Sequence, residues 1–395
     1  MESRRNFIGQ VATGVASGTF LSAGERVRTG LIGFGDRGGE LAHHLRASTH
    51  AELVAVSDIY TRHRERAQSL GVAAHADYRR LLDDRSIDAV MIATPQHLHA
   101  EHFCAALSAG KHVYVERTMA FTVEQAKRMR AAFQNSGRIV QVGHQACSSG
   151  QMEDALQFLS DRRRMGRITA IRMDHFRNAP AGRPPWSRPA RLTPEVNARN
   201  VDWPAFLGEA PAREFEARRF VNWRLYADYS GGGVYENMSQ QICFWYKALD
   251  LRIPRAAFMS GGVLLWKDGR EVPDTMTVAL EQPEGILISW NSGFGNNHPG
   301  IAEQALGDQG TLWRGNQIRY LPQKIRRSGG NEMAGRRSSA PQAHVQNFLD
   351  AIRGTAKPSC PFELGYRVSI ACRMALESHR LQRAVRWDEA KEEIV

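Results

Sequence analysis

The chain has 395 residues, 42% hydrophobic and 24% charged, a balance that suits two packed domains and excludes a disordered segment or a short disulfide-stapled scaffold. Lys and Arg number 52 against 41 Asp and Glu, a net charge of +11, but these charges are scattered rather than blocked, so no nucleic-acid partner is expected. Five widely spaced cysteines, Cys104, Cys147, Cys243, Cys360 and Cys372, contain no C-x-x-C pair; they read as buried small hydrophobes, and no metal site is expected. No apolar run of about 18 residues predicts a membrane-spanning helix.

At the N-terminus, Ser3-Arg4-Arg5-Asn6-Phe7-Ile8 precedes a mildly apolar stretch through Ala23 without Lys, Arg, Asp or Glu. Paired arginines ahead of such a stretch resemble a twin-arginine export signal. The expectation is a signal and linker over residues 1–26, the twin-arginine machinery as a partner, and a periplasmic or extracytoplasmic protein. A non-functional signal would leave it cytoplasmic.

Val27 to Ile32 then reads as a strand, and Gly33-Phe34-Gly35-Asp36-Arg37-Gly38 as a glycine turn opening a helix over Glu40 to Arg46. Gly33 allows the tight turn, Gly35 lets the backbone approach a pyrophosphate, and Gly38 lets helix and strand pack closely. A second strand, Leu53 to Ser57, ends on Asp58, twenty residues past Gly38, where a carboxylate would bind the ribose hydroxyls of NAD. That carboxylate repels a 2′-phosphate, so NAD is expected over NADP, with Arg62 and Arg64 softening the preference. Helices Arg62 to Leu70, Tyr78 to Asp83, Ala100 to Ala109 and Val123 to Asn135 alternate with strands Ala89 to Ala93, His112 to Val115 and Ile139 to Val142. This predicts a doubly wound parallel sheet, a Rossmann domain over residues 27–148.

Within that domain, Ala93-Thr94-Pro95-Gln96-His97-Leu98-His99 and Gly110-Lys111-His112-Val113-Tyr114-Val115-Glu116 resemble the glucose-fructose oxidoreductase, inositol dehydrogenase and MocA (Gfo/Idh/MocA) family. Trp223-Arg224-Leu225-Tyr226-Ala227-Asp228-Tyr229-Ser230-Gly231-Gly232 is similar to the family's approach to its active-site helix, and Arg386-Trp387-Asp388 to its closing segment. The resemblance implies an NAD-binding Rossmann domain, then an α/β domain over residues 149–395 with a large, mostly antiparallel open sheet for substrate binding and oligomerisation. It also implies a carbohydrate or polyol substrate and a homo-oligomer. The implied cofactor site comprises Gly33, Phe34, Gly35, Arg37, Gly38, Asp58, Thr94, Pro95, His99 and Glu116.

The chain departs from the family at two places. The family's Glu-Lys-Pro is here Glu116-Arg117-Thr118, and an arginine can polarise a substrate oxygen but cannot shuttle a proton. The family's Asp and, four residues on, His fall on Glu236 and Gln240, which at i and i+4 would share a helix face. The acid is kept and the imidazole is lost, so Arg117, Glu236 and Gln240 are the catalytic candidates. A register shifted by one would place Asn237 and Gln241 there instead.

Further along, Gln151 to Ser160 reads as a helix and Ile168 to Phe176 as a half-buried strand. Its end carries His175, Arg177 and Asn178 into a Pro/Arg-rich loop with Trp186, a combination that suits a sugar site. Strands Ala256 to Met259, Thr275 to Glu281 and Ile286 to Trp290 follow, then a loop from Asn291 to His298. Arg326 to Gln342 reads as a surface loop, and Ala343 to Arg353 and Tyr366 to Leu381 as helices. With Tyr229, His175 and His298 are candidates for the missing acid or base; Tyr235 is another donor. The expected function is an exported NAD-dependent sugar or cyclitol oxidoreductase that retains its cofactor. Two alternatives stand beside it: an NAD-dependent glycosidase acting by transient oxidation and elimination, and a sugar- or cofactor-binding protein without turnover.

Overall fold

The computed structural model describes residues 25–179, 183–323, 332–337 and 341–395; the twin-arginine segment lies outside the described residues. The first sheet holds β1 (Val27–Ile32), β2 (Ala51–Ser57), β3 (Ala73–His75), β4 (Ala89–Ile92), β5 (His112–Val115) and β6 (Val140–Val142). Its order is β3-β2-β1-β4-β5-β6, and every pairing is parallel. Strands covered on both faces read as unbroken apolar runs, which is why Ala-Val-Met-Ile of β4 and Val-Tyr-Val of β5 were legible. The short β3 carries only Ala-Ala-His and gave no such signal.

The second sheet adds β7 (Ile168–Phe176), β8 (Ala256–Gly262), β9 (Thr275–Glu281), β10 (Leu287–Gly293), β11 (Ile301–Gly307), β12 (Gly310–Arg314), β13 (Gln317–Pro322), β14 (Met333–Arg337), β15 (Val385–Asp388) and β16 (Glu393–Ile394). They order as β14-β13-β12-β11-β7-β10-β9-β8-β15-β16, antiparallel throughout except for the parallel β7–β10 pair. Met276, Val278 and Leu280 of β9 point inward, while Thr275, Thr277 and Ala279 occupy the other face, the period-2 pattern of a sheet covered on one side. Phe258 and Leu287 lie on that other face, about half exposed at 48% and 55%.

Two expectations are corrected here. Asn291, Ser292 and Gly293 belong to β10 rather than to a loop, and within the expected surface loop Met333–Arg337 forms a strand. β11 escaped the sequence reading because its inward position is Glu303. That acid is buried and accepts hydrogen bonds from Trp245 Nε1 at 2.8 Å, Gln241 Nε2 at 3.2 Å and Arg314 at 2.5 Å, so a polar residue sits where alternation calls for an apolar one.

The helix Gln342–Ile352 returns to the first sheet, where Val345, Phe348 and Leu349 pack with Leu41 and Leu45 of the helix Asp36–Ala47. The helix Phe362–Leu381 lies against β8, the helix Val123–Gln134 and the helix Ser239–Leu249, so late segments of the chain join both sheets. One core cluster runs from Val90 and Val113 of the first sheet to Ile171 and Trp290 of the second.

Buried and half-buried histidines contribute to the pH dependence of this fold. Burial pulls His97, His112, His144 and His175 down to about 4, and His102 to about 3. Each is neutral when folded but takes a proton when unfolded below about pH 6.5, so the unfolded state binds more protons between about pH 6.5 and 4. Stability is therefore full above that window and falls through it, on the order of 1–3 kcal/mol per ring by the bottom. Thermal melts at stepped pH should show the melting temperature dropping across this range; a flat profile would contradict neutral burial.

Candidate active site

The glycine turn after β1 leaves room for a ligand at one of its three glycines. Gly33 has φ +89°, and a Cβ there would stand 2.9 Å from the backbone of Ala93 and Thr94; at Gly38 it would stand 2.0 Å from the Gly33 carbonyl oxygen. Neither position tolerates a side chain. At Gly35 the nearest atom is His63 Cε1 at 4.0 Å, so a side chain would enter the open cleft instead. The helix Asp36–Ala47 starts at this point with no side-chain cap, which leaves its first amides and the positive end of its dipole to an anion.

A cavity of about 840 Å³ spreads from this turn, lined among others by Gly35, Asp58, Thr94, Pro95, His63 and Arg188. A smaller one of about 310 Å³ shares Arg37, Thr94, Arg188 and Arg224 with it and adds Gln96, Glu116, Arg117 and Glu236. The long cavity suits a dinucleotide; the charged end suits the groups that react.

Asp58 sits at the end of β2 as expected, but much of its capacity is used internally. Oδ2 accepts from the Phe34 amide at 2.6 Å and faces His63 Nδ1 at 3.0 Å, while Oδ1 accepts from the Tyr60 amide at 2.8 Å. Burial works against the charge, yet His63 and the two amides outweigh it and hold the carboxyl below its usual range. One lone pair of Oδ1 remains for a ribose hydroxyl. Arg62, His63 and Arg66 also line this end, so positive charge surrounds the acid. Phe34 is a correction too: its ring is buried beneath the Arg66 guanidinium, its amide is given to Asp58, and it lines neither cavity.

Glu116 anchors the other wall. Arg37 Nε donates to it at 2.7 Å, Arg117 at 3.2 Å and Tyr114 Oη at 3.2 Å. Burial opposes its charge, but Arg37 and Arg117 prevail and hold it at about 2. Arg117 thus stands fixed at the floor of the smaller cavity with its charge shared. His99 is a correction: it is fully buried, with its two ring nitrogens at the carbonyl oxygens of Thr118 (2.8 Å) and Thr94 (2.9 Å), and it lines neither cavity. It positions the backbone of Thr94 rather than touching a cofactor.

Residues Val234–Met238 form a π-helical turn before the helix Ser239–Leu249. The wider turn breaks the i, i+4 alignment that the sequence implied. Glu236 reaches the smaller cavity, where its Oε1 accepts from Gln96 Nε2 and Arg224 Nε, each at 3.0 Å; Oε2 makes neither bond. Gln240 is corrected: its Nε2 donates back to the Glu236 carbonyl at 3.2 Å, and it does not line the site. The shifted-register pair is placed differently again, with Asn237 Oδ1 accepting from Arg177 at 3.5 Å and Gln241 Oε1 accepting from Trp290 Nε1 at 2.8 Å in the core.

Of the expected substrate residues, Arg177 feels the charge of Glu236, which raises its pKa, but burial outweighs this and lowers it. His175 lies on the helix-covered face of β7, nine-tenths buried, with neither ring nitrogen partnered among the described residues and its pKa pulled to about 4. Five expectations are corrected. Tyr229 is wholly buried against His97 and Phe206. Tyr235 donates to the Phe121 carbonyl at 2.6 Å. Trp186 packs edge-on against Phe294 at 5.0 Å. Asn178 and His298 sit by the exposed loop 295–299, lining neither cavity.

The sequence reading missed the segment from Arg188 to Arg224 that closes the large cavity. Arg188 and Arg191 both pair with Asp36 at the glycine turn, Val201 bridges to Tyr60, and the Asp202 amide donates to the Ile59 carbonyl at 3.1 Å. Its spacing of Trp203, Phe206, Phe215, Phe220 and Trp223 was the available signal; these rings form a small core of their own with Leu225 and Tyr226. Gln96 and Arg224, the two donors to Glu236, lay within quoted motifs but had been given no role.

A doubly wound parallel sheet with an open glycine turn at the start of its first helix defines a dinucleotide-binding protein. Residues 27–144 match the Gfo/Idh/MocA profile, described as an oxidoreductase family with an NAD-binding Rossmann fold. A Comamonas testosteroni protein named 1-carboxy-3-chloro-3,4-dihydroxycyclo hexa-1,5-diene dehydrogenase is 33% identical over 147 residues, 37% of each chain. Inositol 2-dehydrogenase of Klebsiella pneumoniae is 36% identical over 125 residues, 30% of this chain and 36% of its own. The match therefore spans about a third of these relatives. The structure of levoglucosan dehydrogenase with NADH and levoglucosan shares the fold, with TM-score 0.69 and 19% identity over 92% of this chain and 99% of that one.

Proposed function

We propose that the protein is an NAD-dependent oxidoreductase of the Gfo/Idh/MocA type that acts on a sugar or cyclitol and keeps its cofactor between turnovers. The observation that carries this reading is Glu236, held by Gln96 and Arg224, in a cavity that shares its wall with the open glycine turn. Asp58 beside the turn favours NAD over NADP. Retention is supported by the segment that closes the large cavity, since release would require breaking the Arg188 and Arg191 pairs to Asp36. Export by a twin-arginine signal accords with a retained cofactor, because free NAD is scarce outside the cytoplasm. The half-exposed Phe258 and Leu287 on the open sheet face support a homo-oligomer.

In this reading bound NAD supplies the hydride acceptor for a carbinol carbon. Arg117 and Arg224 place positive charge where the carbinol oxygen becomes negative. Glu236 accepts the hydroxyl proton on Oε2, the oxygen not used by Gln96 and Arg224. Retention then requires a second, carbonyl-bearing sugar to return the cofactor to its starting state.

The test is a panel of sugars and cyclitols, singly and in pairs, against the purified protein with nucleotide absorbance and products followed together. The expected result is reduction of bound nucleotide by one sugar and reoxidation by another. Cleavage of a glycoside without net redox change would replace this reading with elimination chemistry, and silence across the panel would leave a binding protein.

A further inference from the structure

Three of the five cysteines, far apart in sequence, meet in the interior. Cys147 lies in the turn Gln145–Ser148 that follows β6, Cys243 in the helix Ser239–Leu249, and Cys360 just ahead of the helix Phe362–Leu381. Their sulfurs stand 3.6 Å apart for Cys147 and Cys243 and 3.8 Å for Cys243 and Cys360, with all three within 4.8 Å of one another. A tetrahedral ion with metal–sulfur bonds of about 2.3 Å separates its thiolates by about 3.8 Å. Two of the three separations are thus those of a tetrahedral thiolate set.

The surroundings are not those of an apolar thiol cluster. His144, 1% exposed, has neither ring nitrogen partnered among the described residues, and its carbonyl accepts from the Cys147 amide at 3.0 Å, giving His and Cys the i, i+3 spacing of one tight turn. Lys247 Nζ donates to the Cys147 carbonyl at 2.8 Å, which brings an ammonium to the same place. The His144 ring lies near Cys147 but outside the 4.8 Å that joins the three sulfurs, and an unpaired buried imidazole there is costly as packing.

We propose that Cys147, Cys243 and Cys360, with the neighbouring His144 ring turned in as fourth ligand, form a structural site for one zinc(II) ion. Binding releases the three thiol protons; the ion and three thiolates then carry one net negative charge, which the Lys247 ammonium offsets. The site would join the end of the first sheet, the C-terminal helix and the helix whose opening turn bears Glu236, seven residues before Cys243. It clamps the active-site helix from behind and plays no part in the chemistry.

The full chain, expressed with zinc(II) in the medium and purified under reducing conditions without chelator, should hold about one zinc per chain by mass spectrometry. Cys243→Ser should hold about a tenth of that or less, His144→Ala should lose its zinc faster to chelator, and Cys104→Ser should match the wild type. Because Cys243→Ser could fail to fold, the second measurement uses the wild type alone: cobalt(II) added to metal-free protein should give a thiolate charge-transfer band and release about three protons per ion. A wild type that binds neither zinc(II) nor cobalt(II) through thiolates overturns the proposal. So does a folded Cys243→Ser that keeps its zinc, or a disulfide between any two of the three in the native protein.

Discussion

Glu236→Gln is expected to lower turnover by about 10²–10⁴-fold while leaving nucleotide content unchanged. The amide keeps an oxygen for Gln96 and Arg224, so the side chain stays where the carboxylate was and the cavity keeps its shape. What it loses is the capacity to take a proton at Oε2. Because Gln240 turns back to its own helix and Arg117 cannot give up its charge, neither neighbour can replace it. The measurement pairs steady-state rate on the sugar identified by the panel with the nucleotide released on denaturation. A rate equal to wild type would remove Glu236 from the chemistry.

Gly35→Val separates the cofactor claim from stability. Its Cβ would meet nothing closer than His63 at 4.0 Å, and the backbone there, φ −68°, suits any residue, so the fold should persist. The added branches occupy the space before the uncapped helix start where a pyrophosphate would lie. NAD affinity should fall by about 100-fold or more, with a melting temperature close to that of the nucleotide-free wild type. Gly38→Ala is the contrasting control: its methyl would stand 2.0 Å from the Gly33 carbonyl, so it should lose stability as well. Isothermal titration and thermal melts of the three proteins decide between these outcomes. Wild-type affinity in Gly35→Val would place the nucleotide elsewhere.

The first sheet was legible because parallel strands buried on both faces announce themselves as apolar runs between glycine turns, and Gly33 and Asp58 sit where that pattern places them. Edges and polar interiors hid the rest. β3 is three residues long, and β11 buries a glutamate that its partners Trp245, Gln241 and Arg314 explain. At the site, Glu236 was found through its place after Ser230-Gly231-Gly232, but pairing it with Gln240 assumed an α-helix. The π turn at Val234–Met238 overturns that assumption, and nothing in Val-Tyr-Glu-Asn-Met marks it. Tyr229 and His99 differ for another reason: polar atoms on a motif need not face the ligand, and both are buried in the wall. The cysteine cluster was invisible in principle, since its members come from three elements joined only by folding.

The most direct test of the account is to purify the full-length protein without added nucleotide, denature it and quantify the NAD, NADH, NADP and NADPH released. A resident cofactor predicts NAD and NADH together near one equivalent per chain, with little NADP or NADPH. A protein that emerges empty and fails to bind added NAD would contradict the central claim that the cleft between Gly35 and Glu236 is built around a retained dinucleotide.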